Sequence, residues 1–235
     1  MERHWQSMIY VQLRLIKSIV YGFLLVSKLM KANPSGVVAL LSWLRRGFAS
    51  PAPQFVKWLV LKNWGGTETW VETGTYKGET TAELAKFSKM VYSVEASPKF
   101  AIEASEKFAK ETNIQILSGL SEDRLPELLK SLSEVEKADI SFWLDGHFSG
   151  ENTFQGPADT PIDQELATIG NHISEFAVVT VLVDDVRCFN PLISEYSNYP
   201  EITFLTKWAN SHNLFWTIEH DIFIATNRKQ GNKNL

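Results

Sequence analysis

Three features of the 235-residue sequence predict an α/β fold with a mostly parallel seven-stranded sheet, one strand reversed, preceded by a helical extension. Short apolar runs alternate with helix-like segments from residue 69 onward. The last two runs, 213–220 and 221–226, have almost no residues between them. That spacing excludes a helical crossover and implies an antiparallel hairpin. Finally, Trp70-Val-Glu-Thr-Gly-Thr-Tyr-Lys-Gly-Glu-Thr-Thr81 runs a strand into an acid, a glycine turn and a helix start. Open α/β sheets bind nucleotide-like ligands at such corners, where glycine lets backbone approach the ligand. The spacing is not G-x-G-x-x-G, so the ligand need not be a dinucleotide.

In chain order, an amphipathic helix comes first. Only ten uncharged residues lie between Lys17 and Lys28, short of the roughly 20 that cross a bilayer. No small-residue cleavage site follows, so a signal peptide is not expected. Leu13, Ile16, Val20, Phe23, Leu24 and Ser27 share one helical face, with Arg14, Lys17 and Lys28 elsewhere. Such a helix packs on the domain, makes a homo-oligomer contact, or lies peripherally in a membrane interface. Asn33-Pro34-Ser35-Gly36 breaks it, and residues 37–46 read as a second helix. Ser50-Pro51-Ala52-Pro53 is linker-like punctuation, dividing a helical extension, 1–54, from a domain, 55–235. Residues 55–61 look helical and lead through Gly65-Gly66 into the first strand.

Strands are expected over 69–72, 91–95, 114–117, 140–144 and 178–183, and helices over 80–87, 99–111, 123–132 and 162–172. Strands spaced by helices make βαβ units and a parallel sheet covered on both faces. Val178-Val-Thr-Val-Leu-Val183 suits a strand buried on both sides. Trp143, inside the fourth strand, is expected in the core.

Hydrophobic residues make up 44% and charged residues 21% of the chain, which excludes a disordered protein. The single cysteine, Cys188, excludes an internal disulfide and fits a reducing, cytoplasmic compartment. Its apolar neighbours favour a buried structural thiol over a nucleophile. Residues 1–60 hold eight Lys/Arg against one acid, Glu2, or +7, which leaves −11 for the remainder. A basic segment joined to an acidic domain suits contact with an anionic surface such as phospholipid headgroups; solvated helix faces explain it equally well. No nucleic-acid partner is expected.

The acid and glycine turn after the first strand, Glu72-Thr-Gly-Thr-Tyr-Lys-Gly78, together with the terminal hairpin, resemble class I S-adenosylmethionine-dependent methyltransferases over roughly residues 55 to 226. Val71–Gly78, Phe142-Trp-Leu-Asp-Gly-His147 and Val183-Asp-Asp185 resemble in particular the macrocin O-methyltransferase-like enzymes and relatives associated with surface-polysaccharide synthesis. The resemblance implies a Rossmann-like fold, S-adenosylmethionine as cofactor, and a small-molecule or glycan acceptor. It places Glu72, Gly74, Thr75 and Gly78 at the methionyl and ribose portion of the donor. Glu95, with Ala96 beside it, falls where an acid accepts the ribose hydroxyls; a helix N-terminal acid before Ser97-Pro98 is the plainer reading. Gly119 and Ser121 follow the third strand, where relatives place the adenine.

Asp145 ends the fourth strand and Asp184-Asp185 the fifth. These strands are neighbours in such a fold, about 4.8 Å apart, so the three carboxylates are expected at one rim. Unpaired, they would repel one another, which a raised pKa or a cation resolves; oxygen ligands favour Mg²⁺. Relatives carry an acid two positions after the fourth-strand Asp, proposed there as base. Here that position is His147, which can take a hydroxyl proton near neutral pH. Plain turns and helix caps are the alternative for all four residues. Arg187 suits either an anionic substrate group or an ion pair with Asp185. The loop 147–160 is long enough to cover an acceptor site. The expected activity is O-methylation of a sugar or other polar hydroxyl. A non-catalytic methyltransferase-like scaffold module in glycan assembly is the alternative; a nicotinamide oxidoreductase fits poorly.

Overall fold

The computed structural model of the chain describes residues 34–133, 139–145 and 160–229. The chain divides into two compact units, Met1–Phe55 and Val56–Leu235. In the first, helix α1 (Pro34–Arg45) begins at the proline that the punctuation suggested as a break. Proline's fixed φ and missing N–H cost nothing in a first helical turn. Trp43 meets Phe48 edge-on at 5.0 Å between ring centroids. The amphipathic helix expected near residues 13–27 lies outside the described residues. Among the described residues no helix is long and apolar enough to cross a membrane.

Helix α2 (Gln54–Trp64) leads into the sheet of the second unit. There β1 (Thr69–Thr73), α3 (Glu79–Ala85), β2 (Met90–Glu95), α4 (Pro98–Lys107), β3 (Ile114–Ser118) and α5 (Ser121–Ser133) follow. They continue with β4 (Asp139–Leu144), α6 (Ile162–His172), β5 (Val178–Val183), α7 (Ile202–Ser211), β6 (Phe215–Glu219) and β7 (Ile222–Thr226). The sheet order is β3-β2-β1-β4-β5-β7-β6. β7 runs antiparallel to both β5 and β6, so six strands share one direction and one is reversed. This is the Rossmann-like, seven-stranded sheet the sequence predicts.

Alternation along each strand divides the core into two layers. Val71, Phe142, Leu144, Val181 and Val183 pack with Leu125 and Leu129 of α5, Leu166 and Ile169 of α6, and Leu205 of α7. Trp70, Trp143 and Leu182 face the other way, against Val60 and Leu61 of α2 and Leu84 of α3. Phe142 and Trp143 are 1% and 0% exposed; burying each stabilises the sheet by about 2–3 kcal/mol. The strand order reverses between β1 and β4, so a crevice opens at the carboxyl ends of these strands, where ligands bind in open α/β sheets.

The terminal hairpin turns on His220 and Asp221, whose φ angles are 50° and 72°. Positive φ at both central residues is the geometry of a type I′ turn. Neither residue is glycine, so the turn is strained and needs ties. Asp221 accepts the Arg187 backbone N–H at 2.9 Å and also binds the Arg187 guanidinium. Helix α7 was not expected from the sequence, although Leu205, Trp208 and Ala209 form its buried face at helical spacing.

Candidate functional site

The corner after β1 is built on positive φ angles. Gly74 has φ 89° and donates its N–H to Val94 O at 2.9 Å, while Gly78 has φ 67° and donates to Thr75 O at 2.8 Å. A Cβ on Gly78 would stand 2.5 Å from the Phe108 ring, so steric room and backbone angle both demand glycine there. Tyr76 between them has φ 46°, an uncommon conformation for a bulky residue.

Glu95, at the tip of β2, fixes that strained turn. Its Oε2 accepts the Tyr76 N–H at 2.7 Å and its Oε1 accepts the Ser97 N–H at 2.8 Å. Thus the helix-entry contact and the contact to the glycine turn coexist in one side chain. A carboxylate has about four acceptor positions, so capacity for a pair of hydroxyls remains.

Glu72 and Thr75 lie beneath the turn. Glu72 is 1% exposed, and its Oε2 accepts from Thr81 Oγ1 at 2.5 Å and Ser93 Oγ at 2.6 Å. Ser93 Oγ also lies 2.6 Å from Thr75 Oγ1. These hydroxyls tie the turn, the first turn of α3 and the middle of β2 to one carboxyl. Burial pushes the Glu72 carboxyl up to about 7, with the Ser93 and Thr81 hydroxyls opposing it. The Thr75 side chain is turned inward, so its hydroxyl braces the turn and is not presented at the surface. Gly119 has φ 137° and donates to Glu95 O at 2.9 Å, which brings the turn after β3 beside the β2 tip. Ala96 is half-buried next to Glu95, and Ser121 is buried at the start of α5.

The acids after β4 and β5 do converge. Leu144 and Val183 are register partners, Asp184 N–H donates to Leu144 O at 3.1 Å, and Asp145 N–H donates to Thr73 O at 3.2 Å. Asp145 and Asp184 thus sit side by side at the rim next to the end of β1. Asp185 follows with φ 56°, and its N–H closes on Asp184 Oδ1 at 2.8 Å.

The repulsion expected among these acids is met by the ammonium of Lys57 in α2. Its Nζ lies 2.5 Å from Asp184 Oδ2 and 3.1 Å from Asp185 Oδ1, and the residue is only 7% exposed. Burial would lower the Lys57 pKa, but Asp184 and Asp185, with Asp145 behind them, raise it on balance, so the ammonium stays charged. Burial, Asp145 and Asp185 push Asp184 upward against the pull of Lys57. A second cation, Arg187, binds Asp185 at 2.5 Å and also Asp221. Of the two roles expected for Arg187, the structure shows the ion pair. Among the described residues no three His, Cys, Asp or Glu side chains are arranged to hold a metal ion. The rim as folded therefore does not fit a Mg²⁺ at Asp145, Asp184 and Asp185, because a lysine ammonium already stands between two of the three carboxylates.

Lys57 was missed in the sequence, although a signal was present. It shares a helical face with Val60 and Leu61, and a lysine on a core stripe requires a buried partner. Glu165 of α6 was missed as well. It is 1% exposed, and its Oε1 has no hydrogen-bond partner among the described residues, as is true of Thr73 Oγ1. Burial pushes this carboxyl up to about 7, opposed by the nearby hydroxyls of Ser121 and Thr73. Glu165 lines a small cavity at the β4–β5 rim with Leu144, Thr160, Val183, Asp184 and Tyr199. Cys188 is buried, and burial raises its thiol to about 11, the state of a structural residue. His147 and the loop after it, up to residue 159, lie outside the described residues.

No family model and no curated protein matches the sequence. Among solved structures, the chain is similar to the O-methyltransferase from Bacillus cereus in complex with SAH, at 17% identity over 80% of this chain and 87% of that one, with a TM-score of 0.51. It is also similar to the O-methyltransferase TomG from Streptomyces achromogenes in complex with SAM, at 16% identity over 78% and 85% of the two chains and a TM-score of 0.49. A putative caffeoyl-CoA O-methyltransferase from Staphylococcus aureus matches at 12% identity over 88% and 98%, with a TM-score of 0.47. The strand order, the reversed β7 and the first of these likenesses give the chain a Rossmann-like methyltransferase fold.

Proposed function

We propose that this protein is an S-adenosylmethionine-dependent methyltransferase that methylates a hydroxyl of a sugar or similar polar acceptor. The observation that carries the reading is Glu95. Its carboxylate clamps the strained Tyr76 turn at the switch point and retains acceptor capacity there. Glu95 would accept the ribose hydroxyls of the donor, and the Gly74–Gly78 backbone would lie against its methionyl portion. Gly119 and Ser121 would border the adenine. Glu72 and Thr75 act from below by holding the turn in shape.

When bound, the donor supplies an electrophilic sulfonium methyl. Asp145, which follows β4, is our candidate to orient an acceptor hydroxyl toward it, and His147, two residues on, is our candidate to take the hydroxyl proton. Alignment of the two reactants is the main source of acceleration expected at such a site. The sugar acceptor rests on the resemblance of Phe142–His147 and Val183–Asp185 to macrocin O-methyltransferase-like enzymes. We assign no Mg²⁺ to the reaction, because Lys57 supplies the positive charge at the rim. The basic N-terminal segment is proposed to make peripheral contact with anionic surfaces.

The test is transfer of label from methyl-labelled S-adenosylmethionine to a panel of sugars and glycosides carrying free hydroxyls. Labelled ether in at least one product, lost in His147→Ala, is expected. Donor binding with no transfer to any hydroxyl acceptor would refute the O-methylation reading.

A further inference from the structure

The rim at β4 and β5 carries its own cation. A lysine enters it from α2, 127 residues away in sequence from its nearest partner. Lys57 contacts Asp184 and Asp185 with one ammonium and lies close enough to Asp145 for that carboxylate to act on it. It projects from a helix face otherwise made of core residues, Val56, Val60 and Leu61. Burying an ammonium is unfavourable unless it is paired, so this placement persists only because the carboxylates meet it. Their mutual repulsion is equally relieved by it. Two carboxylates bind one ammonium, and the charge of a third acts on it, so a side chain supplies the cation that clustered carboxylates need.

We propose that Lys57 is a built-in cation for the carboxylate rim, taking the place between Asp184 and Asp185 that a divalent metal would otherwise hold. The inference rests on the reading of the rim as the acceptor side of a methyltransferase, but its physical content is separate from turnover. Lys57 is a positioning residue. It holds Asp184 and Asp185 together and keeps the rim's net charge low enough for Asp145 to remain an acceptor for a hydroxyl. A fixed ammonium also makes the rim independent of metal supply. The geometry at Asp185 supports the same role, since its left-handed backbone turns one carboxylate toward both Lys57 and Arg187.

The experiment is titration of the full-length protein with Mn²⁺, followed by loss of the free-ion electron paramagnetic resonance signal. Wild type should show no Mn²⁺ site that depends on Asp184. Lys57→Ala should gain a single site, binding Mn²⁺ about tenfold or more tightly than wild type does once the resident charge is gone, and Asp184→Asn in that background should abolish it. Lys57→Gln keeps the side-chain length and serves where Lys57→Ala does not fold, as judged by circular dichroism. An Asp184-dependent Mn²⁺ site in wild type would overturn the proposal, and so would folded Lys57 variants that gain none. Neither outcome requires methyl transfer, so a failed assignment of the reaction is distinguishable from a failed assignment of Lys57.

Discussion

Replacing Glu72 by Gln isolates a buried proton beneath the glycine turn. The carboxyl is 1% exposed and raised from 4.5 to about 7, chiefly by burial. A folded-state pKa above the unfolded value means that the native protein binds the extra proton. The stabilisation is complete below about pH 4.5 and disappears as pH rises through about 7. At about 1.4 kcal/mol per pKa unit, Glu72 alone should remove about 2–3 kcal/mol of stability between pH 5 and pH 8. Glutamine has nearly the same shape, and its amide oxygen can still accept from Thr81 and Ser93, so the variant removes the titration with little change in packing. Urea unfolding of wild type and Glu72→Gln at pH 5 and pH 8 reads the difference directly. Glu165 and Asp184, whose carboxyls are also raised, make their own contributions, so Glu72→Gln and Glu165→Gln should each abolish only part of the wild-type loss. A full wild-type loss in Glu72→Gln would refute a buried, titrating Glu72.

Two further substitutions probe the backbone around the site. Gly78→Ala forces a Cβ to within 2.5 Å of Phe108 at φ 67°. It should cost about 1–3 kcal/mol in thermal unfolding and weaken S-adenosylhomocysteine binding; an unchanged Tm would contradict it. Arg187→Ala cuts the ties from Asp185 to Asp221 and the strained I′ turn. A loss of about 1–3 kcal/mol and faster amide exchange in β6 and β7 are expected, while native-like protection there would argue against it.

The sheet was legible because its signals are local. Val178–Val183 is a run buried on both sides, and the close spacing of the last two strands leaves only a hairpin. Glycine positions were legible for the same reason, since Gly74 and Gly78 mark positive φ angles in a short segment. What could not be read was pairing at long range. Nothing near Asp184 in sequence indicates that Lys57 meets it, so three neighbouring acids suggested an external cation. Glu72 was assigned to the ligand on its strand-end position, but its partners, Thr81 and Ser93, come from α3 and β2 and draw it inward. Helix α7 carried a readable Leu205–Trp208–Ala209 face, obscured by the turn-rich stretch before it.

Calorimetric titration with S-adenosylhomocysteine tests the donor site itself. Wild type should bind one equivalent per chain. Glu95→Ala, which removes the acceptor of two backbone N–H groups and the proposed acceptor of the ribose hydroxyls, should bind about tenfold or more weakly. No heat of binding in wild type, or equal affinity in Glu95→Ala, would contradict a donor site at the tips of β1 and β2.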